Sequence, residues 1–121
     1  MPQNLDKDGL RSKINSYELF FIDIWGVIHN GLQIFEDSIE VLENLKKNNK
    51  EFVLLTNAPR PNSTVIDFLK KMGLKKFYED VYTSGEASLK YLMENFLNAK
   101  FYHIGPPRAV SYTHLTLPTK A

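Results

Sequence analysis

Two polar stops at the ends of apolar runs are the places where this chain could do chemistry. The first is Asp23, which closes Leu19-Phe20-Phe21-Ile22 and precedes Ile24, Trp25 and Gly26. The second is Thr56-Asn57, which closes Phe52-Val53-Leu54-Leu55. A carboxylate beside so much apolar chain is costly to desolvate unless a metal, a cation or a substrate uses it. A threonine hydroxyl can both donate and accept a hydrogen bond. Each feature also has an ordinary structural reading: an Asp after a strand is often a helix cap or turn residue, and Thr-Asn before a proline is a common strand exit. The chain has no cysteine, so thiolate catalysis, disulfides and Cys-based zinc sites are excluded.

These residues need elements to hold them. Leu19 to Ile22 is short and continuously apolar, the pattern of a central parallel strand buried on both faces. Asn30-Gly31 is a tight-turn signal, so the chain beyond Gly26 is expected to make a small flap and return. Phe35 to Asn49 reads as a helix. Its apolar stripe is Ile39, Leu42 and Leu45, with Asp37 and Glu40 as a capping box and Lys46-Lys47 at the negative end of the dipole. Glu51 to Asn57 is a second strand, broken by Pro59 and Pro61. A second helix starts near Asn62 or Ser63, with Val65, Leu69 and Met72 on its apolar face and Gly73 as its stop. Strand, helix, strand with this spacing predicts a right-handed parallel unit. In such a unit Asp23 and Thr56-Asn57 lie side by side at the carboxyl edge, where α/β sheets bind ligands. Val81 to Thr83 is a third strand candidate, followed by a helix capped by Ser84, with Leu89, Leu92, Met93 and Phe96 at helical spacing. Lys100 to Ile104 is a fourth strand, ended by Gly105-Pro106-Pro107. Residues 1–18 are polar, and Leu10, Ile14 and Tyr17 suggest a short lead-in helix.

The stretch Phe21-Ile22-Asp23-Ile24-Trp25-Gly26-Val27-Ile28-His29-Asn30-Gly31 resembles the first motif of the haloacid dehalogenase-like (HAD) phosphohydrolases. It is most similar to class IIA, the NagD-like and 4-nitrophenyl phosphatase-like group, whose large cap is inserted after the second motif. Thr56-Asn57 matches that second motif. The resemblance implies an α/β fold, a Rossmann-like parallel sheet with helices on both faces, here an incomplete HAD core. It implies that Asp23 is the nucleophile and carries an aspartyl-phosphate. Thr56, Asn57 and Gly26 would bind the substrate phosphate, and the Asp23 carboxylate with the Trp25 carbonyl would hold Mg²⁺. The partner implied is a small phosphorylated metabolite. One position departs from the pattern: where the family usually has a general acid/base Asp, two residues after the nucleophile, this chain has Trp25. That departure motivates an alternative, a catalytically weak or silent phosphate-binding module on the same fold. A receiver domain also phosphorylates an Asp at a strand end, but the acceptor there is on the third strand, and the third strand here ends without an acid.

Net charge is +1, so no nucleic-acid or membrane footprint is expected. No apolar run approaches the roughly 20 residues of a membrane span. The first residues are polar and acidic, unlike a signal peptide, so a cytoplasmic location is expected. From Ala109 the Thr-rich tail resembles translated adapter sequence. Residues 1–108 are expected to be the N-terminal half of a HAD-like core and 109–121 a non-native tail. The cap and the second half of the core, with the family's Lys and acidic metal motifs, have no match in these residues. Arg60, His29 and His103 are secondary candidates: an anion contact at the site edge, a flap residue, and a core or edge histidine. The sequence does not set the oligomeric state.

Overall fold

The computed structural model describes residues 5–106 and the pair Thr119–Lys120. Strand β1 (Leu19–Asp23), helix α1 (Glu36–Lys47), strand β2 (Glu51–Thr56), helix α2 (Asn62–Met72), strand β3 (Val81–Thr83) and helix α3 (Ser84–Asn95) follow in order. The strands form a three-stranded parallel sheet in the order β1-β2-β3. Each crossover carries a helix, as a parallel pairing requires.

The core lies between one sheet face and the first two helices. Phe52, Leu54 and Val81 point into it from the sheet, Leu42 and Leu45 from α1, and Leu69 from α2. Ile24 and Ile28, at the root of the flap, are also buried. The opposite face carries Phe21, Leu55 and Tyr82, with Ser84 and Ala87 of α3 at its edge.

Several local expectations change. β1 is not buried on both faces but alternates, with Leu19 and Phe21 exposed and Phe20 and Ile22 half-buried. Helix α3 packs against β3, which β2 separates from β1 in the sheet. Asp37 does not cap α1: Phe35 is the N-cap residue, makes no side-chain cap bond, and Asp37 lies inside the first turn. There it and Glu36 still favour the positive end of the dipole. Lys46 is taken up structurally, 3.3 Å from Asp80 Oδ1 and 4.5 Å from the centre of the Phe52 ring. The lead-in segment takes the form of two short 3₁₀ helices, Leu10–Ser12 and Ile14–Ser16. The fourth strand shortens to β4 (Tyr102–His103). Among the described residues it pairs with no strand of the main sheet but in parallel with β5 (Thr119–Lys120). Apart from that pair, the expected non-native tail lies outside the described residues. Among the described residues no helix is long and apolar enough to cross a membrane.

Candidate phosphate-handling site

Strand register assembles the site. Asp23 is opposite Leu55, and Thr56 is opposite Thr83, so the ends of all three strands form one carboxyl edge. The parallel pairing thus brings Asp23 and Thr56-Asn57 together, as the spacing predicts. Asp23 is exposed, and its Oδ1 accepts the Ile24 N–H at 2.8 Å. Thr56 Oγ1 accepts the Ala58 N–H at 3.2 Å, and among the described residues nothing takes its own O–H, which can point at a ligand. Asn57 follows in the exposed exit turn. Asp23, Trp25, Thr56 and Asn57 line one open cleft together with Thr83 and Ser84.

The flap is a small hairpin built from its own backbone. Gly26 adopts φ +83°, and its N–H donates to the His29 carbonyl at 2.7 Å. Gly26, expected among the substrate-binding residues, supplies the left-handed bend of the flap, which few other residues adopt. Asn30 Oδ1 accepts the N–H groups of Leu32 and Gln33, each at 2.9 Å, closing the turn foreseen at Asn30-Gly31. Trp25 is 62% exposed and leans on the flap. A Cβ at Gly31 would overlap its indole, so only glycine leaves the ring this place.

His29 is buried beneath Trp25. Its ring lies 5.0 Å from Trp25 and 5.8 Å from Phe68, and its Nδ1 accepts the Gly31 N–H at 2.8 Å. That bond fixes the neutral tautomer with hydrogen on Nε2. Burial holds its pKa below the ordinary 6.5. The folded state therefore binds fewer protons than the unfolded state just below pH 6.5. This contribution to stability is present above pH 6.5 and is lost as pH falls through the folded pKa. Asp80 acts in the opposite sense from its own range, burial raising its carboxyl above 3.8 against the pull of Lys46. Thermal unfolding at pH 7 and pH 5 is expected to show a drop in Tm that shrinks in His29→Asn, which keeps an acceptor for Gly31. An unchanged drop in the variant would assign the sensitivity elsewhere.

A brace that holds the Thr56-Asn57 loop is less visible in the sequence. Thr83, not Ser84, is the N-cap of α3, and its Oγ1 accepts the Glu86 N–H at 2.8 Å. The same hydroxyl donates to the Arg60 carbonyl. Asn62 is interposed in what would be a reciprocal cap: its Oδ1 accepts the Thr83 N–H and its N–H donates to Glu86 Oε1, both at 2.9 Å. Gly85 N–H donates to the Ala58 carbonyl at 3.0 Å. The loop after β2 is therefore tied at Ala58, Arg60 and Asn62 to the start of α3. Thr83-x-x-Glu86 is itself a capping-box pattern, and that was the available signal.

Asp23 and the Trp25 carbonyl offer oxygen donors of the kind Mg²⁺ takes. Among the described residues no group of three or more His, Asp or Glu side chains converges to hold a metal. The fit to Mg²⁺ is thus partial, two donors on one strand exit.

Known proteins share the family pattern and the fold. A haloacid dehalogenase-like hydrolase profile matches residues 20–115. The 5'-nucleotidase YutF of Bacillus subtilis (strain 168) is 26% identical over 93 residues, covering 76% of this chain and 36% of that protein. A haloacid dehalogenase-like hydrolase from Brucella suis 1330 superposes with a TM-score of 0.75 at 27% identity, over 100% of this chain and 44% of its own. The 4-nitrophenylphosphatase of Thermotoga maritima gives 0.69 at 27% identity, over 84% of this chain and 39% of its own. The chain thus spans less than half the length of these relatives.

Proposed function

The chain belongs to the haloacid dehalogenase-like hydrolase family, and from that premise we propose that the full-length protein is a phosphohydrolase of small phosphate esters, working through an aspartyl-phosphate at Asp23. The observation that carries the proposal is the placement of Asp23 and Thr56 on adjacent parallel strand ends, a carboxylate beside a hydroxyl that can point at a ligand. An Asp23 oxygen attacks phosphorus, the P–O bond to the ester oxygen breaks, and the phosphoryl group is carried on Asp23 until water displaces it. The Thr56 hydroxyl donates to a phosphoryl oxygen, and the brace at Thr83 and Asn62 keeps it in line. Nucleotide and nitrophenyl phosphate hydrolysis, the activities named for two relatives, set the range of substrates to screen.

Mg²⁺ is the proposed cofactor, with the Asp23 carboxylate and Trp25 carbonyl among its ligands; when bound it supplies charge neutralisation and orientation of the phosphate. The full-length protein is expected to release phosphate from 4-nitrophenyl phosphate, to lose that activity in EDTA, and to regain it with added Mg²⁺. Activity indifferent to EDTA would remove the metal from this reading. Binding of phosphate esters without turnover, under any metal, would favour the silent module instead.

A further inference from the structure

Thr56 and Asn57 stand between two hollows. One is the open cleft that holds Asp23. The other is a cavity of about 310 Å³ bounded by the flap, the β2 exit and α2. That is near the lower end of the ~300–1,000 Å³ usual for small-ligand sites. The two hollows share Trp25, Thr56 and Asn57 as walls, so one small molecule can lie across both. The cavity is largely apolar, with Ile24, Trp25, Val65 and Phe68 in its wall, and the charged residue that lines it is Arg60. Arg60 belongs to this cavity and not to the Asp23 cleft. It is half-buried, and its backbone has little play. Pro59 precedes it, and Pro61 restricts it to extended conformations. Its carbonyl accepts the Thr83 hydroxyl, and its peptide lies so close to Gly85 that a Cβ there would overlap it. An arginine half-buried beside apolar walls is costly to desolvate unless an anion meets it. Its planar fork matches a carboxylate through two parallel hydrogen bonds, and a main chain already held leaves less freedom to lose on binding.

We infer that Arg60 holds the far end of the substrate, and that the site takes phosphate esters whose apolar body carries a carboxylate. The phosphate lies against Asp23 and Thr56, the body crosses Trp25 and Asn57 into the cavity, and the carboxylate meets the Arg60 guanidinium. This rests on the phosphohydrolase reading and names a substrate class for it. A carboxylate suits the cavity better than a second phosphate, since it carries less charge to desolvate among apolar walls. Arg60 is thus a specificity-determining residue that binds a group taking no part in the transfer. It contributes equally to the bound substrate and to the transition state. Uniform binding of that kind lowers KM without raising kcat. Because Thr83 and Gly85 fix the Arg60 backbone, the span from Asp23 is set within the reach of one side chain, and one length of substrate body fits it best.

The test is steady-state kinetics of the full-length protein with Mg²⁺ on ω-carboxyalkyl phosphates of increasing length. Each is paired with the alkyl phosphate of the same length, and 4-nitrophenyl phosphate is run beside them. Expected at the best length is a kcat/KM for the carboxylate member at least about 10-fold above that of its partner, the effect of one charge-assisted hydrogen-bonded pair. The difference should lie in KM. Arg60→Gln should bring the ratio near one, and Arg60→Lys, which keeps the charge and loses the fork, should restore part of it. Where Arg60→Gln fails to fold, a ratio lowered in Arg60→Lys decides for the inference and an unchanged one against it. A wild-type ratio near one at every length overturns it, whether or not the variants fold. So does a wild-type ratio that survives in Arg60→Gln, which gives the carboxylate to another cation. An equal fall for both members of each pair in Arg60→Gln overturns it as well, by placing Arg60 on the transferred phosphate. In each of these cases Asp23-dependent release from 4-nitrophenyl phosphate leaves the phosphohydrolase reading standing. No Asp23-dependent release from any ester overturns both.

Discussion

Asp23→Asn is expected to reduce phosphate release by the full-length protein at least about 10³-fold, the scale on which nucleophile deletions act. That corresponds to roughly 4 kcal/mol of lost transition-state stabilisation. The substitution is a clean probe because the side chain's structural duty is slight. Asp23 is exposed, and among the described residues its one hydrogen bond is acceptance of the Ile24 N–H, which an amide oxygen can take over. Stability should therefore shift by no more than about 0.5 kcal/mol, as for other exposed sites. The amide is a poor nucleophile and cannot carry the acyl-phosphate bond. Acid-quenched protein mixed with labelled phosphate ester should retain label in the wild type and none in Asp23→Asn. Equal activity in the two proteins would show that the nucleophile has been misassigned, whatever the family resemblance.

The parts of this site legible in the sequence are those written as contiguous patterns. Asp23 and Thr56-Asn57 each end an apolar run, and a parallel register between two such runs leaves their ends little choice but to meet. The Asn30-Gly31 turn and the Gly73 helix stop are equally local, because each is a demand for a left-handed backbone at one residue. What escaped is what depends on partners distant in the chain. Nothing near Asn62 announces that its side chain accepts from Thr83, 21 residues later. Ser84 and Thr83 are equally good caps by type, and the choice between them is made by the Arg60 carbonyl waiting for a hydroxyl. The alternating burial of β1 was hidden for a related reason: Leu19 and Phe21 are as apolar as residues buried on both faces, and composition does not say which face a helix covers.

Gly85→Ala is expected to be the most damaging single change outside the nucleophile. Gly85 is buried, and its backbone meets the Arg60 peptide so closely that a Cβ would overlap the Arg60 nitrogen, carbonyl carbon and oxygen. These are main-chain atoms held between Pro59 and Pro61, so no side chain can swing aside. The loop or the helix must move. Either movement strains the Gly85 to Ala58 bond and the Thr83 to Arg60 bond, and both lie at the carboxyl edge. Overpacking of this kind costs about 1–3 kcal/mol, and loss of a buried hydrogen bond adds about 1–3 kcal/mol. The sum is a large share of a small domain's stability. Because the displaced loop begins at Asn57, the variant should also bind phosphate esters more weakly than its loss of stability alone explains. Chemical denaturation and phosphate-ester titration of Gly85→Ala beside Thr83→Val separate the two effects. Thr83→Val removes the cap and the bond to Arg60 but adds no atom against the loop. If both variants lose stability and only Gly85→Ala loses affinity, close backbone contact positions the Thr56-Asn57 loop. If both lose affinity together, the hydroxyl of Thr83 does so instead. A Gly85→Ala protein with unchanged stability and affinity would mean that the loop is not held against α3 at all, and that Thr56 owes its place to the strand register alone.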